Sequence, residues 1–151
     1  MSIGSGEYYL TIAYPNLRFS AQGGCDVTDG EHYFEVKNAT KSSFAINTQK
    51  ENGIYTWKLP IHDPTVDSNL YYIFFLRGKG ENNQQGPIQY FIKKAKDVED
   101  YLKFRQESEH PLKQSRQSGG GLGMNAEAAE ELLDFPTNLV KLKEIHPSAK
   151  I

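Results

Sequence analysis

The segment Gly23–Ser43 reads GGCDVTDGEHYFEVKNATKSS, and the way it pairs with itself decides the sheet. Asp29-Gly30 is a hairpin signal, because a type I′ turn needs positive φ at both central residues. Asp26–Thr28 and His32–Lys37 flank it. The second flank alternates: His32, Phe34 and Val36 fall on one face, Tyr33, Glu35 and Lys37 on the other. Phe34 and Val36 mark the core side. A turn centred on Asp29-Gly30 places Asp26 opposite Tyr33 and diagonal to Glu35. Two carboxylates and an ammonium then meet on a strand face that would ordinarily be only solvated.

Working outward, Leu17–Ser20 (LRFS) alternates as a strand, and Ile54–Pro60 (IYTWKLP) reads as another. Leu70–Leu76 (LYYIFFL) is apolar without alternation, which predicts a central strand covered on both faces. Ile88–Lys94 (IQYFIKK) is the next strand. Lys96–Gln106 is an amphipathic helix with Val98, Tyr101, Leu102 and Arg105 at helical spacing. Asn125 caps a helix over AEAAEELLDF, which Pro136 stops, and the segment 125–151 is expected to be largely helical. Asn138–Ile145 reads as a final strand or short helix. Asn47–Gly53 reads as a short helical turn or loop, and His62–Asn69 and Arg77–Pro87 as loops. Residues 108–124, basic and glycine-rich, read as a flexible loop. Near the start, YYLTIAY is either a helix capped by Ser5 or a strand. This order predicts an α/β (α+β) fold: a single domain over 1–151 with a mixed central β-sheet and flanking helices.

Composition agrees. A chain of 151 residues can bury a core without metal or disulfide staples, and Cys25, the only cysteine, excludes both an internal disulfide and a cysteine-based structural zinc site. The 9 tyrosines and 8 phenylalanines suggest strands packed on one face and wet on the other. A net charge of −2 argues against a protein that simply coats nucleic acid, while leaving room for an enzyme with a local basic groove. No apolar run follows a basic start, so no signal peptide is expected, and no run approaches the ~20 residues that span a bilayer. The expected location is the cytoplasm, with no membrane partner.

Phosphodiester hydrolysis needs a divalent cation, a nucleophilic water and a group that holds the water in line. Hard cations such as Mg²⁺ take carboxylate oxygens and keep several waters. Asp26 and Glu35 on neighbouring strands can share one ion. Lys37 points to the same face as Glu35, and the backbone carbonyl of Val36 can supply a further ligand. The plainer reading of the same spacing is a solvated hairpin face, whose Glu-Lys pair contributes ~0–1 kcal/mol.

The arrangement CDVTDGEHYFEVKNATKSSFAI resembles the PD-(D/E)XK nuclease superfamily, which has the restriction-endonuclease-like fold. Asp26 matches the motif's aspartate, Glu35-Val36-Lys37 its (D/E)XK, and Asn38-Ala39-Thr40 the small polar run after it; Cys25 stands in the place of the proline. The sequel LYYIFFL, IQYFIKK and KDVEDYLK is similar too, so the likeness spans about residues 4–105. Glu7 is similar to the glutamate that many members carry on their first helix. The resemblance implies a DNA endonuclease of restriction or repair type, working with Mg²⁺ (or Mn²⁺). Asp26, Glu35, Val36 and Glu7 would hold the metal. Lys37 would orient or help deprotonate the attacking water. Lys41, Lys93, Lys94, Lys113 and Arg116 would contact phosphates. Twofold DNA would suit a homodimer. The alternative is a non-catalytic nucleic-acid- or protein-binding module on a β-rich domain. Of the remaining candidates, nothing orients Cys25 with His62 as a nucleophile pair, and Gly119–Gly123 lacks the lysine of a phosphate loop. Trp57 reads as a core residue or a stacking aromatic.

Overall fold

The computed structural model describes residues 17–19, 25–40, 44–60, 69–79, 85–115 and 121–134. Over these the chain is mixed α+β, with more strand than helix. Strands β1 (Arg18–Phe19), β2 (Val27–Thr28) and β3 (Tyr33–Thr40) are followed by β4 (Phe44–Ile46), β5 (Lys50–Glu51) and β6 (Ile54–Tyr55). Then come β7 (Leu70–Lys79), β8 (Gln85–Lys94), helix α1 (Ala95–Gln106), β9 (Leu122–Met124) and helix α2 (Ala126–Asp134). The main sheet runs β1-β2-β3-β7-β8. It is mixed: β3 and β7 are parallel, Tyr33↔Leu70 through Thr40↔Arg77, and the other neighbours are antiparallel. Parallel pairing requires a long crossover between β3 and β7, and that stretch carries β4 and the β5–β6 pair.

The apolar run of β7 is explained by burial on both sides. Leu70, Tyr72 and Phe74 enter one cluster with Tyr33, while Ile73 and Phe75 join Val27, Phe34, Val36 and Ile92 in a second. The expectation of strands wet on one face is therefore corrected, because later parts of the chain return to cover the first cluster. Helix α1 contributes Val98, Tyr101 and Leu102, each fully buried, at the predicted helical spacing. Each such apolar side chain contributes about 1.5–3 kcal/mol of burial. Helix α2 adds Ala128, Ala129 and Leu132. Its first turn is capped as expected, with Ala128 N–H donating to Asn125 Oδ1 at 2.9 Å.

Three expected loops turn out to hold strand. Arg77–Pro87 gives its ends to β7, which runs on to Lys79, and to β8, which starts at Gln85. Asn47–Gly53 contains β5, and Asn52-Gly53, with φ of 52° and 80°, is the two-residue turn into β6. The strand expected over Ile54–Pro60 accordingly shortens to Ile54–Tyr55. Within 108–124, Leu112 is buried and β9 pairs with β4, Phe44↔Met124 to Ile46↔Leu122. Gly121 holds φ at +104°, and a side chain there would collide with the carbonyl of Ile46. The readings made for residues 1–16, 61–68 and 135–151 lie outside the described residues.

Candidate active site

The site begins with a turn that differs from the expected one. Only Gly30 has positive φ in Asp29–His32, and these four residues close the Thr28↔Tyr33 pair. Asp29 organises them. Its Oδ1 accepts N–H groups of Glu31 at 2.8 Å and His32 at 2.6 Å, and its Oδ2 lies 3.0 Å from His32 Nδ1. Thr28 Oγ1 accepts from Gly30 N–H and donates to the His32 carbonyl, at 2.9 and 2.8 Å. The longer loop moves the register by two residues. Val27 pairs with Phe34, so Asp26 comes beside Glu35 rather than opposite Tyr33. A shift of two preserves the pleat of β2, and Asp26, just outside that strand, stays within electrostatic reach of Lys37.

Asp26 closes the end of β2 with both its backbone and its side chain. Its N–H donates to the Phe34 carbonyl at 2.8 Å, and its Oδ2 accepts the Val36 N–H at 2.7 Å. Burial pushes the Asp26 carboxyl above its ordinary pKa, opposed by the Val36 hydrogen bond and then by the Lys37 ammonium. Lys37 Nζ is 3.3 Å from Glu35 Oε1, and these side chains are only 16% and 20% exposed. The pair is not a solvated hairpin face. It lies at the edge of the first core cluster, where Glu35 is registered to Tyr72 and Lys37 to Phe74. The structure thus brings Asp26, Glu35 and Lys37 into one partly desolvated place, with Lys37 acting electrostatically on both carboxylates.

The donor set suits a hard cation. Two carboxylates and a backbone carbonyl offer only oxygen, and Mg²⁺ is commonly held by one or two carboxylates with water completing its shell. Among the described residues no group of three His, Cys, Asp or Glu side chains could hold a metal. Val36 turns its side chain into the second cluster, so its carbonyl is all it can offer. Glu7 lies outside the described residues.

Of the expected phosphate contacts, Lys94 and Lys113 are exposed. Lys93 is fully buried, which corrects its assignment: it is registered to Tyr72, points under the helices and cannot reach a phosphate outside. Burial holds its pKa below the ordinary lysine value, against the pull of Asp97 and Asp134. Lys41 and Arg116 lie outside the described residues. Lys113 lines a groove with Phe44, Arg105, His110 and Asn125. Phe44 in turn meets Phe74, the register partner of Lys37, at 5.1 Å between ring centroids.

The sequence reading passed over Lys50, Lys58 and Lys103, which stand over aromatic rings. The available signal was the interleaving of aromatic and basic residues in Tyr55-Thr56-Trp57-Lys58, just after Asn52-Gly53. Comparisons of this chain with family models, curated proteins and solved structures return no match.

Proposed function

We propose that Asp26, Glu35 and Lys37 form the site of a Mg²⁺-dependent DNA endonuclease of restriction or repair type. The sheet β1-β2-β3-β7-β8 would be its restriction-endonuclease-like core. One observation carries the reading: two carboxylates and an ammonium gather on adjoining strands, largely out of water, with Lys37 Nζ 3.3 Å from Glu35 Oε1. A structural ion pair has no need of the third group. Holding Asp26 where burial disfavours its charge costs stability, and that cost is offset when a cation occupies the site.

Asp26 and Glu35, with the Val36 carbonyl, would hold Mg²⁺, which supplies charge neutralisation at the phosphate and an acidified water. The Val36 N–H fixes Asp26 Oδ2, so that Oδ1 would be the oxygen offered to a cation. Glu35 anchors the Lys37 ammonium. Lys37 orients the attacking water and offsets negative charge building on the phosphoryl oxygens. The groove beside Lys113 would carry flanking phosphates, whereas Lys94, registered to Tyr71, belongs to the other face of the sheet. A homodimer would allow one site per strand of a duplex.

The test is nicking of supercoiled plasmid with Mg²⁺ or Mn²⁺. Glu35→Gln and Lys37→Met are each expected to lower the rate about 10²–10³-fold or more while the protein stays folded by circular dichroism. No nicking by the native chain with either ion, or full nicking by both variants, would overturn the assignment. In that event the non-catalytic binding module would be the better description.

A further inference from the structure

We propose that Tyr55 and Trp57, with Lys50, Lys58 and Lys103, form a docking surface for single-stranded nucleic acid, separate from the carboxylate site. Lys58 Nζ lies 5.5 Å and Lys103 Nζ 5.3 Å from the centroid of the Trp57 ring, and Lys50 Nζ is 5.6 Å from that of Tyr55. One indole therefore carries two ammonium groups, delivered from the β6 segment and from α1. All three lysines are exposed, and among the described residues none of them makes an ion pair. The nearby acids of α1 are engaged elsewhere: Glu99 accepts the Leu59 N–H at 3.3 Å, and Asp100 pairs with Lys96 at 3.0 Å.

The rings are held as a platform. Tyr55 and Trp57 pack their inner sides on the first core cluster and stay partly open outside. The strand after the Asn52-Gly53 turn is tied back on Gln49, with Gln49 N–H donating to Lys58 O at 2.7 Å and Thr56 N–H to Gln49 O at 2.8 Å. Stacking a base there orders little that is not ordered already. An ammonium over an exposed ring is weakly held, and a lysine stem is long enough to swing aside to a neighbouring phosphate. The base takes the ring face and the lysines take the backbone, which is the combination single strands require. Duplex bases are stacked on each other and offer no free face, and an acidic peptide offers nothing to stack. This surface is thus the stacking alternative for Trp57, built beside its core contact.

Trp57 is the only tryptophan among 151 residues, so its fluorescence reports on this ring alone. The full chain, in excess EDTA, is titrated with an oligothymidylate of about 12 nucleotides, matched to the site sizes of such surfaces. Saturable quenching is expected, with binding that weakens linearly in log salt. Lys58→Ala and Lys103→Ala should each reduce that slope by about 0.7. Trp57→Ala, followed by anisotropy of a labelled oligonucleotide, should weaken binding about 5- to 150-fold. Trp57→Phe, safer for folding, should weaken it less than Trp57→Ala. The titration runs in EDTA, where the proposed metal chemistry cannot act, so failure of the nuclease reading and failure of this one are distinguishable. Absence of quenching, a duplex or polyglutamate binding as tightly as the single strand, or binding indifferent to Lys58, Lys103 and Trp57 would each overturn the proposal.

Discussion

Asp26 is the residue at which fold and chemistry pull in opposite directions. Its Oδ2 completes the edge of β3 by accepting the Val36 N–H, yet burial raises its pKa above 3.8. A carboxyl shifted upward favours its protonated form in the folded state. Its contribution to stability is fully present below pH 3.8 and is lost as pH rises through the raised folded value. Asp26→Asn keeps an oxygen acceptor for Val36 and drops the charge. Urea denaturation at neutral pH should find it as stable as the native chain or more so, with a flatter dependence on pH in the acid range. Asp26→Ala strands the Val36 N–H and should cost about 1–3 kcal/mol. Under the proposed chemistry Mg²⁺ raises the Tm of the native chain and leaves that of Asp26→Asn unchanged. An Asn variant clearly less stable than the native chain at pH 7 would show that the charge itself supports the fold.

Among the elements, the two helices are joined by a polar clamp over an apolar seam. Tyr101 Oη lies 3.2 Å from the Ala128 carbonyl and 3.1 Å from Glu131 Oε1, while Arg105 Nη1 reaches Glu131 Oε1 at 3.2 Å and Tyr101 Oη at 3.4 Å. Burial is the first reason the Tyr101 hydroxyl is driven far above its ordinary pKa, so it remains a neutral donor. Tyr101→Phe keeps the buried ring and removes the hydroxyl. Thermal unfolding should register a loss of about 0.5–1.5 kcal/mol, and a neutral result would mean that the seam alone joins α1 to α2. The helices were legible in the sequence because Val98, Tyr101 and Leu102 recur at helical spacing and Asn125 is a cap. Two elements were not. Asn52-Gly53 carried the hairpin signal, but the polar run Asn47–Glu51 in front of it lacked strand alternation. Strand β9 hid in a glycine-rich stretch, since only Leu122 and Met124 mark it and its partner β4 lies far earlier in the chain. At the site, the pleat of β3 correctly grouped Glu35 with Lys37. The register of Asp26 was missed because Asp29 side-chain bonds, rather than backbone φ alone, built the turn.

Over the whole of the described structure, side chains on both faces of the sheet are buried, and the carboxylate site sits at the rim of the face that α1, α2, β4 and β9 cover. Periodicity within β3 could not foretell this, because the covering residues lie later in the chain and local pattern carries no word of them. The same face holds a second buried ionisable group. Lys93 is fully buried on β8, its pKa lowered by burial, while Asp26 precedes β2 at the other side of β3 and β7. For a lysine shifted downward the unfolded chain binds more protons, so stability rises with pH from the lowered folded value up to 10.5. Each buried charge therefore counts against stability, and raising the pH worsens the Asp26 contribution and relieves that of Lys93. Three strand spacings separate β2 from β8, about 14 Å, far enough for independent effects. Lys93→Met should match or exceed the native stability at neutral pH and keep its nicking activity, because Lys93 faces the helices rather than the substrate. Asp26→Asn should match it in stability and lose the nicking. The double variant should sum the two stability changes to within about 0.5 kcal/mol and stay inactive. Nicking lost in Lys93→Met, or a coupling well beyond that margin, would mean that the buried lysine acts with the carboxylates, and that the site extends across the whole sheet.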